Sequence, residues 1–194
     1  MPNPNSPPVL IVSGTNRPGS NAMRVAKVLQ RHYAERAAPV EILSLADMPR
    51  EVFEGAAYAI KPPGMLDIQN RVLRARGLHV VSPEYNGSFP GVLKYFIDML
   101  KFPESFDRKP VAYVGESAGT WGALRSIEQL QMIFGYRNAF SFPERVFIPG
   151  VNKVFDPQGN LIDPDIDKRL AKQVAGFLEF IACVCTITRA EDKT

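Results

Sequence analysis

Five short apolar runs constrain the fold of this 194-residue chain more than any other feature of its sequence. Apart from one glutamate in the second run, none shows the alternation of apolar and polar residues that marks a strand with one face in water. Such runs predict β-strands that are covered by other structure on both faces. The runs are Val9–Val12, Val40–Leu43, Leu78–Val81, Val111–Val114 and Val146–Ile148.

Stretches with helical periodicity lie between and after these runs. Their apolar residues recur at intervals of three and four, which places them on one face of a helix. The stretches are 22–33, 66–73, 93–100, 124–134 and 170–181. Strands that alternate with helices predict an α/β fold, in which right-handed crossovers build a five-stranded parallel sheet with helices on both faces. We expect a single domain over residues 9–194, preceded by a disordered tail over residues 1–8 that is rich in Pro and Asn.

The charge pattern and the cysteines bear on possible partners. Lys and Arg number 23 against 20 Asp and Glu, and the cations form no basic run, so we expect neither a nucleic-acid nor a membrane partner. No secretory leader pattern opens the chain, and Glu179 interrupts the C-terminal apolar stretch, which favours a cytoplasmic protein. Cys183 and Cys185 have no histidine near them in sequence, so we expect buried structural thiols and no metal site.

The loops that follow strands one, three and four are the candidate ligand-binding segments. In parallel α/β sheets, ligands bind beyond the carboxyl ends of the strands, near the point where the strand order reverses. The loops read SGTNRPGSN (Ser13–Asn21), SPEYNGSFPG (Ser82–Gly91) and GESAGTWG (Gly115–Gly122). Each contains glycine and several small polar side chains, so we expect the site where the three meet.

The first loop fits neither common phosphate-binding pattern. Asn16 stands where a dinucleotide fingerprint needs its second glycine, and Ser20 stands where a P-loop needs lysine. The loop still offers the hydroxyls of Thr15 and Ser20, the guanidinium of Arg17, the amide of Asn21 and the N-terminal amides of a helix. These groups suit one terminal monophosphate. The alternative is that Ser20 only caps the helix while Arg17 is a surface cation.

The second loop suits a flat heterocycle. Pro83 stiffens the backbone, Tyr85 offers a stacking surface, Asn86 offers an amide, and Gly87 allows a close backbone approach. The alternative is an ordinary turn whose aromatic residues plug the edge of the sheet.

The third loop contains a complete G-x-S-x-G motif, Gly115–Gly119, between a strand and a helix. This is the context of a hydrolase nucleophile. That fold requires a histidine after the serine in the chain, whereas His32 and His79 both precede Ser117. We therefore predict that Ser117 binds a ligand or caps a helix and that both histidines are structural. A serine hydrolase remains an alternative on the motif alone.

Taken together, the three loops and the first turns of the helices that follow them resemble the NAD(P)H-dependent FMN reductase family. That family includes chromate, quinone and azo-dye reductases with a flavodoxin-like fold. The segments that carry the resemblance are Ser13–Asn21, Ser82–Asp98 and Gly115–Ser126. The resemblance implies a flavodoxin-like three-layer sandwich with FMN as the cofactor and NADPH or NADH as the reductant.

The resemblance also implies which residues bind FMN. The family's G-S-x-R-x-x-S-x-N pattern for the phosphate matches this chain with two departures: threonine replaces its serine, and Asn21 directly follows Ser20. The implied phosphate ligands are Thr15, Arg17, Ser20 and Asn21; the implied ring contacts are Pro83, Glu84, Tyr85, Asn86 and Gly87, with Ser117 and Gly119 near the polar edge of the flavin. No catalytic side chain is expected, because the cofactor itself performs hydride transfer.

The implied activity is an FMN-dependent NAD(P)H oxidoreductase. Hydride would pass from NAD(P)H to FMN, and then, in a ping-pong cycle, to a quinone, flavin, azo or metal-oxyanion acceptor. A flavodoxin-type electron carrier without its own NAD(P)H turnover is the main alternative, and a flavin-binding regulatory module is another. The positive net charge and Arg17 in the phosphate loop favour the enzyme.

One further segment, Met48–Met65, predicts self-association. It is too long for an ordinary connection and carries more apolar side chains than a solvated loop. Those side chains are Val52, Phe53, Tyr58, Ile60 and Met65. We expect a homodimer or homotetramer, as the family resemblance also implies. The alternative is a lid that folds back on its own domain.

Overall fold

The computed structural model describes residues 6–191, with side chains through Cys185. Residues 1–5, most of the predicted tail, lie outside this range. The strands are β1 (Val9–Ser13), β2 (Val40–Ser44), β3 (Gly77–Pro83), β4 (Pro110–Glu116), β5 (Phe140–Ser141) and β6 (Val146–Ile148). The helices are α1 (Asn21–Ala34), α2 (Pro63–Arg74), α3 (Gly91–Met99), α4 (Leu124–Tyr136) and α5 (Pro164–Glu191).

The sheet has the strand order β2-β1-β3-β4, and its last position is shared by two short strands. β5 pairs with the start of β4, and β6 pairs with its end, so the edge strand is interrupted between them. All of these pairs are parallel. The predicted flavodoxin-like α/β fold is confirmed, and each predicted apolar run lies within a strand. β5 was missed because two residues are too few to form a recognisable pattern.

Both faces of the sheet are covered by helices, which explains the uninterrupted apolar runs. One face packs against α2, α3 and α4, with Leu10 and Val80 among its buried side chains. The other face packs against α1 and α5, with Ile11 and Val81 among its buried side chains. Successive strand residues therefore enter different cores, and a polar residue in either position would be buried.

Both histidines have partners inside the fold. His79, in β3, is fully buried, and its ring nitrogens lie 2.9 Å from the Tyr33 hydroxyl and 3.1 Å from Gln173 Oε1. Burial lowers the pKa of His79 to about 4, so the ring is neutral at physiological pH. His32, in α1, is buried between Glu35 and Asp167. These contacts agree with the structural roles that the sequence predicted.

The segment from Met48 to Met65 forms two short 3-10 helices, Arg50–Phe53 and Gly55–Tyr58, before α2 begins. Val52 and Met65 are completely buried in the chain's own core, so the expectation that they form a partner surface was wrong. Val52 points inward because the 3-10 helix Arg50–Phe53 packs against α3, and Met65 lies on the buried face of α2. Phe53, Tyr58 and Ile60 are exposed by 49, 57 and 80%, respectively.

The two cysteines are exposed near the end of α5, so the prediction of buried thiols was wrong. Ile181 and Val184 occupy the buried face of that helix, which turns Cys183 and Cys185 away from the core. In the described part of the chain, no three His, Cys, Asp or Glu side chains are grouped as metal ligands. None of the helices within residues 6–191 is both long and apolar enough to cross a bilayer.

Candidate functional site

A cleft of about 530 Å³ opens at the carboxyl edge of the sheet. Its walls come from the loops after β1, β3 and β4 and from the short helix Val151–Lys153. The strand order reverses between β1 and β3, so the cleft lies at the switch point where open α/β sheets bind ligands. Its volume is within the usual range for small-molecule sites.

The first loop begins at Gly14, where the chain packs closely against β3. The Gly14 N–H donates to the Val81 carbonyl at 2.8 Å, and a Cβ at Gly14 would lie only 2.6 Å from that oxygen. Glycine is therefore required here by strand packing. Thr15 is also buried, and its hydroxyl lies 3.1 Å from the Tyr85 hydroxyl. The Thr15 hydroxyl therefore connects the first loop to the second. Thr15 itself does not line the cleft.

The N-terminus of α1 forms one end of the cleft. The Ser20 hydroxyl caps the helix by accepting from the Met23 N–H at 3.2 Å, as the alternative interpretation of the first loop predicted. Asn21 lines the cleft and donates to Asn152 at 2.9 Å. The guanidinium-bearing residues Arg17 and Arg24 line the same end, and the first turn of α1 carries no acidic residue. A helix N-terminus with two cations beside it favours an anion.

The second loop is a tight turn that presents one aromatic side chain. Tyr85 and Ser88 exchange backbone hydrogen bonds of 2.8 and 3.1 Å, and the two residues between them have φ angles of 53° and 76°. This pair of left-handed residues, Asn86 and Gly87, is typical of a type I′ turn. Pro83 and Tyr85 line the cleft, whereas Asn86 and Gly87, at the tip of this turn, do not.

Glu84, beside Tyr85 in the same wall, has an incomplete set of hydrogen bonds. Its Oε1 lies 3.7 Å from the Arg125 guanidinium. Its Oε2 is buried and has no hydrogen-bond partner among the described residues. A buried acceptor of this kind is costly unless a ligand supplies a donor.

The third loop does not form a hydrolase centre. The Ser117 hydroxyl donates to the Gly119 carbonyl at 3.2 Å, so it stabilises its own turn. Both histidines of the chain lie in the described part and are hydrogen-bonded to other residues, His32 to Asp167 and His79 to Tyr33. Ser117 lines the cleft, whereas Gly119 does not. The arrangement expected of a serine nucleophile with its base is therefore not formed.

Sequence reasoning missed Glu116, the last residue of β4. Glu116 lines the cleft but is only 5% exposed. Burial raises the pKa of its carboxyl group to about 7, against the opposing effects of the Ala22 N–H and the Arg17 charge. A charged residue at the carboxyl end of β4, separated from its apolar run by one glycine, was the available signal. Arg24 and Asn152 were missed too, and Asn152 comes from a segment that no motif connects with the loops.

The cleft thus has two chemically different ends. One end carries Arg17, Arg24 and the α1 amides, and the other presents the Tyr85 ring and the unpaired Glu84 oxygen. Such a site suits an elongated ligand with a phosphate at one end and a flat ring with an N–H donor at the other.

Comparison with known proteins gives relatives over most of the chain. A family model described as NADPH-dependent FMN reductase matches residues 7–153. A quinone reductase of Escherichia coli is 34% identical over 179 residues, which cover 89% of this chain and 94% of that protein. An NAD(P)H-dependent FMN reductase of Pseudomonas aeruginosa is 30% identical over 172 residues, which cover 86% of this chain and 90% of the relative.

The fold also has solved counterparts. The FerB flavoenzyme of Paracoccus denitrificans, an NAD(P)H:(acceptor) oxidoreductase, matches with a TM-score of 0.73 and 24% identity. The match covers 90% of this chain and 96% of that one. At this level of identity the likeness establishes the shared fold.

Proposed function

Because the chain belongs to the NADPH-dependent FMN reductase family and is an FMN-dependent NAD(P)H reductase, we propose that FMN occupies the cleft at the β1/β3 switch point. The observation that carries this proposal is the pairing of a cationic helix N-terminus with an aromatic wall in one cleft. The donor set fits the cofactor: cations and amides suit the phosphate, and the unpaired Glu84 oxygen suits the N–H donor of the flavin ring.

The phosphate end of the proposed site combines two kinds of group. Arg17 and Arg24 supply charge, and the first turn of α1 supplies backbone donors, which Ser20 and Asn21 hold in place through their own hydrogen bonds. Thr15 would act indirectly, because its hydroxyl contacts the Tyr85 hydroxyl and so positions the Tyr85 ring. The family pattern had instead implied a direct contact between Thr15 and the phosphate.

The ring end of the proposed site is formed mainly by the wall after β3. Pro83, Glu84 and Tyr85 line this wall, and the backbone of the adjoining Asn86–Gly87 turn would contact the edge of the ring. From the loop after β4, the Ser117–Gly119 turn would face the polar edge of the flavin. These residues bind and orient the cofactor, which supplies hydride transfer when bound. No acid or base from the chain is required.

For the acceptor, we propose a quinone, flavin, azo compound or metal oxyanion, reduced in a ping-pong cycle after NAD(P)H has left. A relative named quinone reductase supports the first of these classes. Anaerobic addition of NADPH to the FMN-loaded protein should bleach the flavin absorbance, and later addition of a quinone should restore it. Initial rates at several quinone concentrations should give parallel double-reciprocal plots. A protein that binds FMN but is not bleached by NADPH or NADH would support the electron-carrier alternative.

We also propose a homodimer or homotetramer. Its support is the exposed apolar group Phe53, Tyr58 and Ile60, because clustered exposed apolar side chains usually mark an interaction surface. The lid alternative predicts the same exposure when the lid is open. Replacement of Phe53 and Tyr58 by serine distinguishes a lid from an interface.

A further inference from the structure

Glu116 occupies an unusual position for a carboxyl group. It is the last residue of β4, and strand alternation places it on the same face as Ala112 and Val114, which pack in the core beneath α1 and α5. Its side chain is therefore directed toward α1 and is 5% exposed, yet it lines the cleft. A buried carboxylate is expensive to keep charged.

Glu116 also uses a donor that a phosphate would need. The backbone N–H of Ala22, in the first turn of α1, lowers the pKa of the Glu116 carboxyl group against the effect of burial, which places this donor beside the carboxylate. First-turn amides of a helix are the donors that bind phosphate in proteins. Glu116 and a phosphate at this helix end are thus two anions that compete for one set of donors.

The surrounding charges do not remove this conflict. From the first loop, the Arg17 charge lowers the pKa of Glu116 against the effect of burial, and Arg24 lines the cleft from α1. From the β3 wall Glu84 and Tyr85 face it, and Glu84 is paired with Arg125. A phosphate dianion would draw Arg17 and Arg24 to itself. Burial already raises the pKa of Glu116 to about 7, and a nearby second anion raises such a pKa further.

We propose that Glu116 takes up a proton from solvent when the phosphate of FMN enters the cleft, so that the cleft selects the phosphorylated flavin only while Glu116 is neutral. The inference rests on the proposed position of the phosphate at the N-terminus of α1. Neutral Glu116 no longer repels the phosphate, and the Ala22 amide becomes available to it. Riboflavin, which lacks the phosphate, requires no proton.

The sign and size of the effect follow from linkage. The pKa of Glu116 is higher in the FMN complex than in the flavin-stripped protein, so binding is strongest at low pH and weakens as pH rises. Above about pH 7, where stripped Glu116 is ionised, FMN affinity should fall by up to about tenfold per pH unit. The second ionisation of a phosphate monoester lies near pH 6, so titrations from about pH 6.5 to 9 avoid it.

The test uses the full-length chain stripped of flavin and titrated with FMN and with riboflavin across that range. Wild-type protein should lose FMN affinity by about tenfold per pH unit above neutrality, with riboflavin affinity nearly constant. Calorimetry of FMN binding at pH 8, in two buffers with different heats of ionisation, should count about one proton taken up. Glu116→Gln should take up none and show no such slope. Glu144→Gln, which changes an exposed carboxyl outside the cleft, should keep the wild-type slope.

Three results would overturn the inference: no proton uptake by the wild type at pH 8, the same slope in Glu116→Gln, or an equal slope for riboflavin. The proton count on wild-type protein needs no variant, so it decides the matter even if Glu116→Gln does not fold. Failure to bind either flavin at any pH would instead contradict the proposed function.

Discussion

Replacing Arg17 with alanine removes one of the two guanidinium groups at the phosphate end of the cleft. The other polar side chains there already have partners, since Ser20 caps α1 and Asn21 donates to Asn152. With the phosphate in the proposed position, its charge would therefore be met by Arg17, Arg24 and the α1 amides. Loss of a charge-assisted hydrogen bond costs about 1.5 to 3 kcal/mol, so FMN binding should weaken by about 10- to 150-fold.

The assay for Arg17→Ala is fluorescence titration of the flavin-stripped protein with FMN, with riboflavin titrated in parallel. Riboflavin binding should change little, because the removed charge acts on the phosphate. Lys27→Ala is the matched control, since Lys27 is an exposed cation on α1 that does not line the cleft. Equal weakening for both flavins, or an equal loss of FMN affinity in Lys27→Ala, would refute the phosphate assignment.

Three other predictions test the remaining parts of the account. Ser117→Ala should still fold and bind flavin with altered turnover, and a fluorophosphonate should not label the wild type; stoichiometric labelling of Ser117 would revive the hydrolase alternative. Lys109→Met should lower the free energy of unfolding by about 1.5 to 3 kcal/mol in urea titrations, because the buried Nζ donates to three carbonyls at the end of α2; a change as small as that of an exposed lysine would contradict this role. Joint replacement of Phe53 and Tyr58 by serine should dissociate the oligomer and abolish activity if they form an interface, whereas a lid predicts a changed KM in an intact oligomer, as measured by light scattering and kinetics.

The strands could be predicted because burial on both faces leaves a direct mark on the sequence. Val9–Val12 and Val111–Val114 have no polar position, since each alternate side chain enters a different core. The location of the cleft followed from the same information, because parallel strands that end together bring their loops together. The two-residue strand Phe140–Ser141 left no such mark.

The details of the site depended on contacts between distant parts of the chain. Thr15 matched the position of a phosphate ligand, but its hydroxyl lies against Tyr85, which is 70 residues away in sequence. Asn152 reaches Asn21 from 131 residues away. Glu116 could not be recognised from the sequence as a site residue, because its proposed role depends on its burial beneath α1. Motifs record which residue types are present, whereas these roles are set by tertiary packing.

The most direct test of the central claim is a crystal structure of the protein grown with FMN. The account predicts flavin density in the cleft, with the phosphate at the first turn of α1 within hydrogen-bond distance of Arg17 and the ring alongside Tyr85. A flavin bound outside this cleft, or bound in it with the phosphate directed away from α1, would contradict the account.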